Sequence, residues 1–481
     1  MQLFDTEEEA FRAVAAIEEM VSAGAATVTL KRLAANAVPG HDLPVKMLRL
    51  LIDAEVRIRG RGRHSRGTGY TAGQEERHMP GPLDGIRILD FTRFQQGTFS
   101  TVLLADLGAD VIKVEQPGGD PGRTLGRHVD GYSSYFESLN RNKRSLCLDL
   151  RKPEAVAAVK RLAATVDVVV ENFRPGTMEK MGIGYEELAA VNPALIVASG
   201  SMFGPNGARS RDPGFDTIAQ AVGGIMAFTT RDGDTPHGVQ PGMADQTGGV
   251  FLSHAILAAL VHRLRTGEGQ KVDASLYGSQ IAIQGIHLSR KLHHAPLRPP
   301  GQSSGVLTHR AWCIDGRWIA FGFLEAWHFP KLCTALELDE LATDPRFAGP
   351  AERARHGDEL VELLDARVVT RPSAEWIERL RAADVPCTVI QDYEMIAEDP
   401  QARANGYVHE EDHPVWGRVR TQGAPVLYSQ SPAEVRRHAP ITPGDHSEEL
   451  LREAGFDASE IQALVACGAV VAPTPVAAAP R

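Results

Sequence analysis

The residue with the clearest chemical potential is Asp245, a carboxylate at the start of a long apolar stretch, GGVFLSHAILAAL. A carboxylate at the start of a helix accepts backbone N–H bonds and feels the positive helix end, so we expect Asp245 to be ionised. Gly248 and Gly249 would follow in the first turn, where glycine lowers helix stability but lets another molecule approach the backbone. The pattern predicts a carboxylate nucleophile for acyl groups, with glycine N–H groups that hold an oxyanion. The alternative is a plain helix cap.

Motifs of several other enzyme classes are missing around this carboxylate. The turn after the first predicted strand reads DFTRFQQGT, with one glycine, and so lacks the GxGxxG dinucleotide fingerprint, and the chain has no P-loop. The adjacent pair His293 and His294 has no carboxylate or cysteine at ligand spacing. The five scattered cysteines form no C-x-x-C pair. We therefore expect no metal site and no redox cofactor.

Composition and charge exclude further classes of protein. Hydrophobic residues make up 43% and aromatic residues 6% of the 481 residues, which is a globular balance. The 61 acidic residues exceed the 51 basic ones, giving a formal net charge of −10, which disfavours a generally basic nucleic-acid binder. The chain has no run of about 18 apolar residues, and its acidic start, MQLFDTEEEA, does not read as a signal peptide. We expect a cytoplasmic protein with no membrane or nucleic-acid partner.

The distribution of apolar runs predicts the domain organisation. Short apolar strands alternate with helical patterns over residues 81–300, which is typical of α/β proteins with an open, parallel, Rossmann-like sheet and helices on both faces. Residues 301–407 predict a second, smaller α/β domain that begins with a hairpin around Asp315 and Gly316. Residues 408–460 are expected to return to the first domain. Residues 461–481, rich in alanine and proline at the end, are expected to be a flexible tail.

Residues 1–80 differ from the rest of the chain in their sequence pattern and composition. Helical periodicity near residues 6–22 and 43–56 predicts a helical extension, followed by an Arg/Gly-rich linker that includes Arg57–Arg66. Arginines could contact phosphates of a nucleic acid or a ligand. A solvated linker is the preferred interpretation because no aromatic residues are interleaved to stack on bases.

Five sequence blocks in unbroken order carry a resemblance to a known family. They are PLDGIRILDFTRFQQGTFSTVLLADLGADVIKVEQPGGD, SLNRNKRSLCLDLRKPE, VVVENFRPGTMEKMGIGYEELAAVNPALIVAS, FDTIAQAVGG and RTGEGQKVDASLY. From about Pro82 to about residue 460 the chain resembles the class III CoA-transferases, the CaiB/BaiF type. That family includes formyl-CoA:oxalate and carnitine CoA-transferases and the α-methylacyl-CoA racemases.

The resemblance implies a function, a set of site residues and an assembly. It implies that CoA moves from an acyl-CoA to a free carboxylic acid, with CoA as a substrate, in an interlocked homodimer. Asp245 matches the catalytic carboxylate, which would form an aspartyl anhydride and then an aspartyl-CoA thioester. Gln95 matches a glutamine near the thioester. The residues that match CoA-lining segments are Leu148, Arg151, Asn172, Phe173, Arg174, Lys180 and Met181. Gly301 belongs to the nearest counterpart of a glycine-rich loop that shields the anhydride in the oxalate-type enzymes.

Departures from the family pattern bear on the alternatives. The racemases carry a histidine directly before the aspartate of their GxD block, where this chain has Phe215. Phenylalanine cannot carry a proton, so a two-base racemase is disfavoured. Some members carry a base where this chain has Gln116, which puts one phosphate contact in doubt. A catalytically idle CoA-binding scaffold is a further alternative, and the presence of Asp245 and Gln95 argues against it.

Overall fold

A computed structural model describes residues 80–126, 128–129, 131–230, 233–294, 308–322, 325 and 327–473. Contacts divide the chain after Arg77, and the described residues all belong to the unit that starts at His78. The predicted helical extension and Arg/Gly-rich linker lie outside the described residues, as do Gly301 and the end of the predicted tail.

The described strands form one large sheet, a three-stranded sheet and two hairpins. They are β1 (Arg87–Asp90), β2 (Asp110–Glu115), β3 (His128–Val129), β4 (Tyr132–Ser133), β5 (Lys143–Cys147), β6 (Val168–Glu171), β7 (Ile196–Ser201), β8 (Lys271–Ser275), β9 (Thr308–Trp312), β10 (Trp318–Gly322), β11 (Cys387–Val389), β12 (Val408–His413) and β13 (Gly417–Gln422).

The described helices connect and cover these strands. They are α1 (Gln96–Asp106), α2 (Ser134–Asn140), α3 (Pro153–Ala163), α4 (Thr177–Lys180), α5 (Tyr185–Val191), α6 (Asp216–Val222), α7 (Ile225–Thr229), α8 (Met243–Thr266), α9 (Leu276–Ile283), α10 (Gly285–Leu292), α11 (His328–Ala335), α12 (Pro350–Arg355), α13 (Gly357–Val368), α14 (Ser373–Ala382), α15 (Tyr393–Glu398), α16 (Pro400–Ala404), α17 (Ser447–Glu453) and α18 (Ala458–Ala466).

The large sheet has the order β5-β2-β1-β6-β7-β8, and all of its strand pairs are parallel. The predicted parallel α/β sheet is therefore confirmed. The chain runs from β1 to β2 on one side and returns to β6 on the other side of β1. In open α/β sheets, ligands bind at the carboxyl ends of the strands beside such a switch point. The loops that follow β1 and β6 meet at this position.

Successive side chains along a strand point to opposite faces of the sheet, and apolar residues on both sides explain why both faces are covered. Leu89 of β1 packs in one apolar layer with Leu162 of α3 and Leu450 of α17. Its neighbour Ile88 points to the opposite layer, which includes Leu104 of α1 and Ile256 of α8. Successive side chains of a strand point to opposite faces, so a strand with no polar interruption is buried on both sides.

The sheet β11-β10-β9 is antiparallel and has a core of its own around the fully buried Trp376 of α14. The predicted hairpin around Asp315 and Gly316 is present as β9 and β10, which pair in register from Thr308 with Gly322 to Trp312 with Trp318.

The predicted start of the flexible tail at residue 461 differs from the structure. Helix α18 continues to Ala466, and its residues Ile461 and Leu464 are buried in the same core as β1. Val470 then forms an antiparallel bridge with Leu148. Burial of these apolar side chains keeps the chain ordered past the predicted boundary, which is the physical reason for the difference.

Two buried lysines stabilise the loop that follows β1. Lys143 and Asp90 are fully buried, and the Lys143 Nζ lies 3.0 Å from the Asp90 carboxylate. Asp90 also accepts hydrogen bonds from the backbone N–H (2.8 Å) and the hydroxyl (2.5 Å) of Thr92. Lys113 donates to the Thr92 carbonyl and pairs with Asp120 at 2.7 Å. Burial lowers the pKa of Lys143 to about 8, although Asp90 opposes this shift.

Replacing Lys143 by methionine tests this network. We expect Lys143→Met to lower the free energy of unfolding by about 3–5 kcal/mol, because Asp90 would lose its closest buried cation. The measurement is urea denaturation at pH 7. Arg209→Gln removes an exposed ion pair with Asp212 (3.0 Å) and should change stability by less than about 1 kcal/mol. Equal losses in the two variants would contradict this view of the network.

Candidate functional site

The N-terminus of α8 carries two carboxylates, and their roles differ from the expectation. Asp216 Oδ1 accepts hydrogen bonds from the backbone N–H groups of Ala244 (2.7 Å) and Asp245 (3.0 Å). Its other oxygen accepts one from the Gln220 amide at 2.7 Å. Asp216 therefore caps the helix, although it comes from α6. The expectation that Asp245 caps its own helix is wrong, because α8 begins at Met243 and places Asp245 inside the first turn.

The Asp245 side chain is half-buried in this position. Burial, followed by the negative charge of Asp216, raises the pKa of Asp245 to about 7. The expectation of a fully ionised carboxylate at neutral pH is corrected accordingly. Burial opposes ionisation because it removes water from the carboxylate. The Asp216 charge opposes it because the cap brings a second carboxylate to the same helix end. A poorly solvated carboxylate that ionises near neutral pH is suited to attack an acyl carbon.

Gln95 lies against the start of the same helix. Its Nε2 donates a hydrogen bond to the Pro241 carbonyl at 3.1 Å. The next residue, Gly242, has φ +86°, and a Cβ there would lie 2.6 Å from the Gln95 Nε2. Only glycine combines that backbone conformation with such a close approach. The structure thus brings Gln95 to the helix turn that carries Asp245.

Gly248 and Gly249 do not present bare N–H groups to a ligand. Helical hydrogen bonding in α8 begins with the Gln246 N–H, which donates to the Gly242 carbonyl at 3.0 Å. Both glycines follow in the next turn, where N–H groups are bonded within the helix. Both are buried against α1, and a Cβ on Gly249 would lie 2.7 Å from the Gln96 carbonyl. Close packing of the two helices explains the glycines, so the expected oxyanion role is corrected.

A cavity of about 850 Å³ lies beside the carboxyl ends of β1 and β2. Five of the residues expected to bind CoA line it together, although they come from separate segments of the chain: Leu148, Arg151, Phe173, Lys180 and Met181. Arg93 and Gln116 also line it. Within the cavity lining, Arg151 forms an ion pair with Asp149 at 2.7 Å and is 83% exposed.

Asn172 and Arg174, also expected to bind CoA, do not line this cavity. The Asn172 side chain accepts a hydrogen bond from the Arg93 N–H and donates one to the Arg93 carbonyl, both at 2.8 Å. Asn172 therefore joins the loop after β6 to the loop after β1. Arg174 is exposed, and its carbonyl accepts the Thr177 N–H at the start of α4.

Sequence reasoning missed three residues near these sites: Arg93, Asp216 and Tyr135. Arg93 and Asp216 stood in the quoted blocks, but their roles depend on contacts with distant segments. Tyr135 lies in α2, and burial, followed by the negative charge of Asp245, raises the pKa of its phenol. No spacing in the sequence connects Tyr135 with Asp245, which is 110 positions later.

Among the residues that the structure describes, no group of three or more His, Cys, Asp or Glu side chains could hold a metal ion. Residues 409–413 read HEEDH and match the HExxH pattern of zinc enzymes. They lie on strand β12 rather than on a helix. Positions i and i+4 of a strand are about 13 Å apart, so the two histidines cannot share one ion.

Comparison with known proteins identifies the family. A model of CoA-transferase family III matches residues 83–447. The chain belongs to this family. It is 35% identical to succinyl-CoA:glutarate CoA-transferase of Mus musculus, over 81% of this chain and 90% of that protein. It is 34% identical to formyl-CoA:oxalate CoA-transferase of Rhodopseudomonas palustris strain BisA53, over 83% of this chain and all of that protein.

A solved structure supports the same assignment. A CaiB/BaiF family protein from Brucella suis superposes with a TM-score of 0.70 at 32% identity, covering 78% of this chain and 100% of that one. The protein is thus a family III CoA-transferase with the α/β fold of the CaiB/BaiF structures. The racemase alternative is not favoured, since the named relatives are transferases and Phe215 offers no proton-transfer group.

The pH dependence of this CoA-transferase tests the coupling of the two carboxylates. A nucleophilic role for Asp245 requires its ionised carboxylate and predicts a turnover rate that rises with pH through about 7. Asp216→Asn keeps an oxygen that can cap α8 but removes its charge, so the acid limb should move to lower pH. It should stay above the ordinary aspartate value of 3.8, because burial of Asp245 remains.

The measurement is the profile of kcat against pH for the wild type and the variant. Asp212→Asn, on an exposed aspartate, is the matched control and should leave the limb in place. An acid limb that does not move in Asp216→Asn would contradict the coupling.

Proposed function

We propose that this family III CoA-transferase moves CoA from an acyl-CoA thioester to a free carboxylic acid through covalent intermediates on Asp245. The observation that carries this proposal is the half-buried Asp245 carboxylate, with a pKa of about 7, in the first turn of the helix whose start contacts Gln95. The loop after β1 extends from Arg93 in the cavity lining to Gln95 at the start of α8. A single acyl-CoA could then place its nucleotide in the cavity and its thioester at Asp245.

Four exchange steps complete the proposed transfer. The Asp245 carboxylate attacks the donor thioester carbonyl and expels CoA thiolate, which leaves an aspartyl–acyl anhydride. The thiolate attacks the aspartyl carbonyl and releases the donor acid, which carries away one oxygen of Asp245, to give an aspartyl-CoA thioester. The acceptor carboxylate attacks that thioester and expels the thiolate again. The thiolate finally attacks the acceptor carbonyl of the new anhydride, which frees product acyl-CoA and the Asp245 carboxylate.

Two positioned groups support this chemistry. The Gln95 side chain lies at the helix turn that carries Asp245, where it donates a hydrogen bond to the Pro241 carbonyl. An amide beside a thioester carbonyl can donate to the oxygen that becomes negative during attack. Tyr135 adds a phenol whose pKa is raised by burial and by the negative charge of Asp245, so it stays protonated near that carboxylate. We assign both residues to orienting the thioester and the intermediates.

The named relatives suggest an acceptor class. Their names contain glutarate and oxalate, which are both dicarboxylates. We propose a dicarboxylate acceptor for this chain. The incomplete counterpart of the glycine-rich loop, around Gly301, makes oxalate itself the less favoured member of that class.

Trapping with hydroxylamine tests the covalent step. Incubated with an acyl-CoA, the wild type should convert Asp245 to a hydroxamate, because hydroxylamine attacks the aspartyl carbonyl of the anhydride or of the aspartyl-CoA thioester. Asp245→Asn should show no modification at position 245 and a transfer rate at least about 10³-fold lower, since no nucleophile remains. Peptide mass spectrometry locates the adduct.

Asp212→Asn again serves as the control, and it should be trapped at Asp245 like the wild type. Transfer at an undiminished rate in Asp245→Asn would overturn the mechanism. Uptake of deuterium at the α-carbon of the acyl-CoA without any acceptor acid would instead support the racemase alternative.

We also propose that the protein works as a homodimer of the interlocked kind. Support comes from large apolar side chains that this chain leaves exposed on α8 and α10: Leu264 is 78%, Ile286 77% and Leu292 66% exposed. Helix α10 has no buried residue. An uncovered apolar surface of this kind is typical of an interface between subunits.

Light scattering after size-exclusion chromatography tests the dimer. The wild type should show twice the mass of one chain. The Ile286→Glu/Leu292→Glu variant should shift toward the monomer, because two charges would be buried against the partner. Val191→Glu, on the exposed part of α5, should stay dimeric. A monomeric wild type at micromolar concentration would contradict the proposal.

The remaining proposals concern cofactors and location. The proposed steps need only the Asp245 carboxylate, the acyl-CoA donor and the acceptor acid, so we propose that no metal or redox cofactor takes part. A cytoplasmic location and the absence of membrane and nucleic-acid partners also stay proposals. They rest on the acidic net charge of −10 and on cysteines that the structure describes as free.

A further inference from the structure

We propose that Arg93 binds a phosphate group of the CoA nucleotide and replaces the base that is missing at Gln116. This inference rests on the proposed function, since it takes CoA as the ligand of the cavity. Both residues line the cavity of about 850 Å³. The Arg93 Nη2 donates a hydrogen bond to the Gln116 Oε1 at 2.7 Å, so the guanidinium lies beside the position where some relatives carry a base.

The backbone of Arg93 is held in place before any ligand binds. The Asn172 amide bonds to both its N–H and its carbonyl at 2.8 Å. The next residue, Phe94, has φ +59°, a left-handed conformation that costs energy for a bulky side chain and persists only where the surroundings impose it. The turn points the two neighbours of Phe94 to different places, Arg93 to the cavity and Gln95 to α8.

The guanidinium is also oriented by two neutral groups. It lies 5.2 Å from the centroid of the Phe173 ring, and Gln116 accepts one of its hydrogen bonds. A guanidinium has five N–H donors, so further donors are available to phosphate oxygens. An arginine that is already oriented loses less side-chain entropy when it binds a planar or tetrahedral anion.

Charge distinguishes Arg93 from Arg151, the other arginine of the cavity. Arg151 forms two hydrogen bonds with the Asp149 carboxylate, at 2.7 and 2.8 Å, so its charge is compensated. The buried Glu115 is compensated as well, since Arg123 pairs with both of its oxygens. Arg93 is bonded to an uncharged amide and keeps a net positive charge for the ligand. A polyanionic nucleotide is therefore attracted to Arg93 more strongly than to Arg151.

Isothermal titration calorimetry with three ligands tests the inference. The ligands are CoA, dephospho-CoA, which lacks the 3′-phosphate, and pantetheine, which has no phosphate. Arg93→Gln should weaken CoA binding by about tenfold or more, because a charged hydrogen bond to phosphate is lost. Binding of pantetheine should not change. A loss confined to CoA assigns Arg93 to the 3′-phosphate, and an equal loss for dephospho-CoA assigns it to the pyrophosphate.

Two further variants sharpen the experiment. Arg93→Gln/Gln116→Arg should regain CoA affinity, because it moves the guanidinium to the neighbouring position. Arg209→Gln is the matched control: Arg209 also lies over a phenyl ring, that of Phe203 at 4.0 Å, but outside the cavity, and its loss should leave CoA affinity unchanged.

Unchanged CoA affinity in Arg93→Gln would overturn the inference, as would an equal loss for pantetheine. Because the readout is binding rather than turnover, the two proposals fail in different ways. A wild type that binds CoA but transfers nothing would overturn the proposed function alone. A wild type that does not bind CoA would overturn both.

Discussion

The position of one short loop, Thr92–Gln95, is the constraint on which the rest of the site depends. It leaves the sheet at β1, and its first residue, Thr92, is hydrogen-bonded to the buried carboxylate of Asp90 and to the ammonium of Lys113. Asn172 holds it from the side. Burying such charges is costly unless each one is paired, and here each has a partner within hydrogen-bond distance. The result is a rigid connection between the cavity and the N-terminus of α8.

The same physical chemistry explains why the pKa of the Asp245 carboxylate in α8 is raised. A helix end stabilises one negative charge well, and Asp216 takes that place by accepting two N–H bonds. Asp245, inside the same first turn, is left with burial and a like charge, which raise its pKa to about 7. The fold uses the Asp216 carboxylate to cap the helix and leaves the Asp245 carboxylate poorly solvated. A carboxylate that is poorly solvated in the free enzyme loses an unfavourable negative charge when it forms a bond to an acyl carbon.

Several features could be predicted from local patterns. The apolar strands of the parallel sheet, the hairpin around Asp315 and the long helix that starts near Asp245 all follow from neighbours a few residues apart. Errors arose where a partner is distant in sequence. The cap of α8 comes from Asp216, 29 residues before Asp245. The two glycines of α8 pack against α1, and the residues after 461 are ordered by the core around β1.

The sequence by itself determined the α/β class and the family, because periodic burial and ordered motif blocks are properties of the chain read in one direction. It also determined which residue types could do acyl chemistry. Only the tertiary structure decided which of them meet. Cavity residues between positions 93 and 181 come together because parallel strands deliver their ends to one edge of the sheet. Charge, too, was decided there: the pKa of Asp245 and the uncompensated charge of Arg93 depend on which groups the fold places beside them.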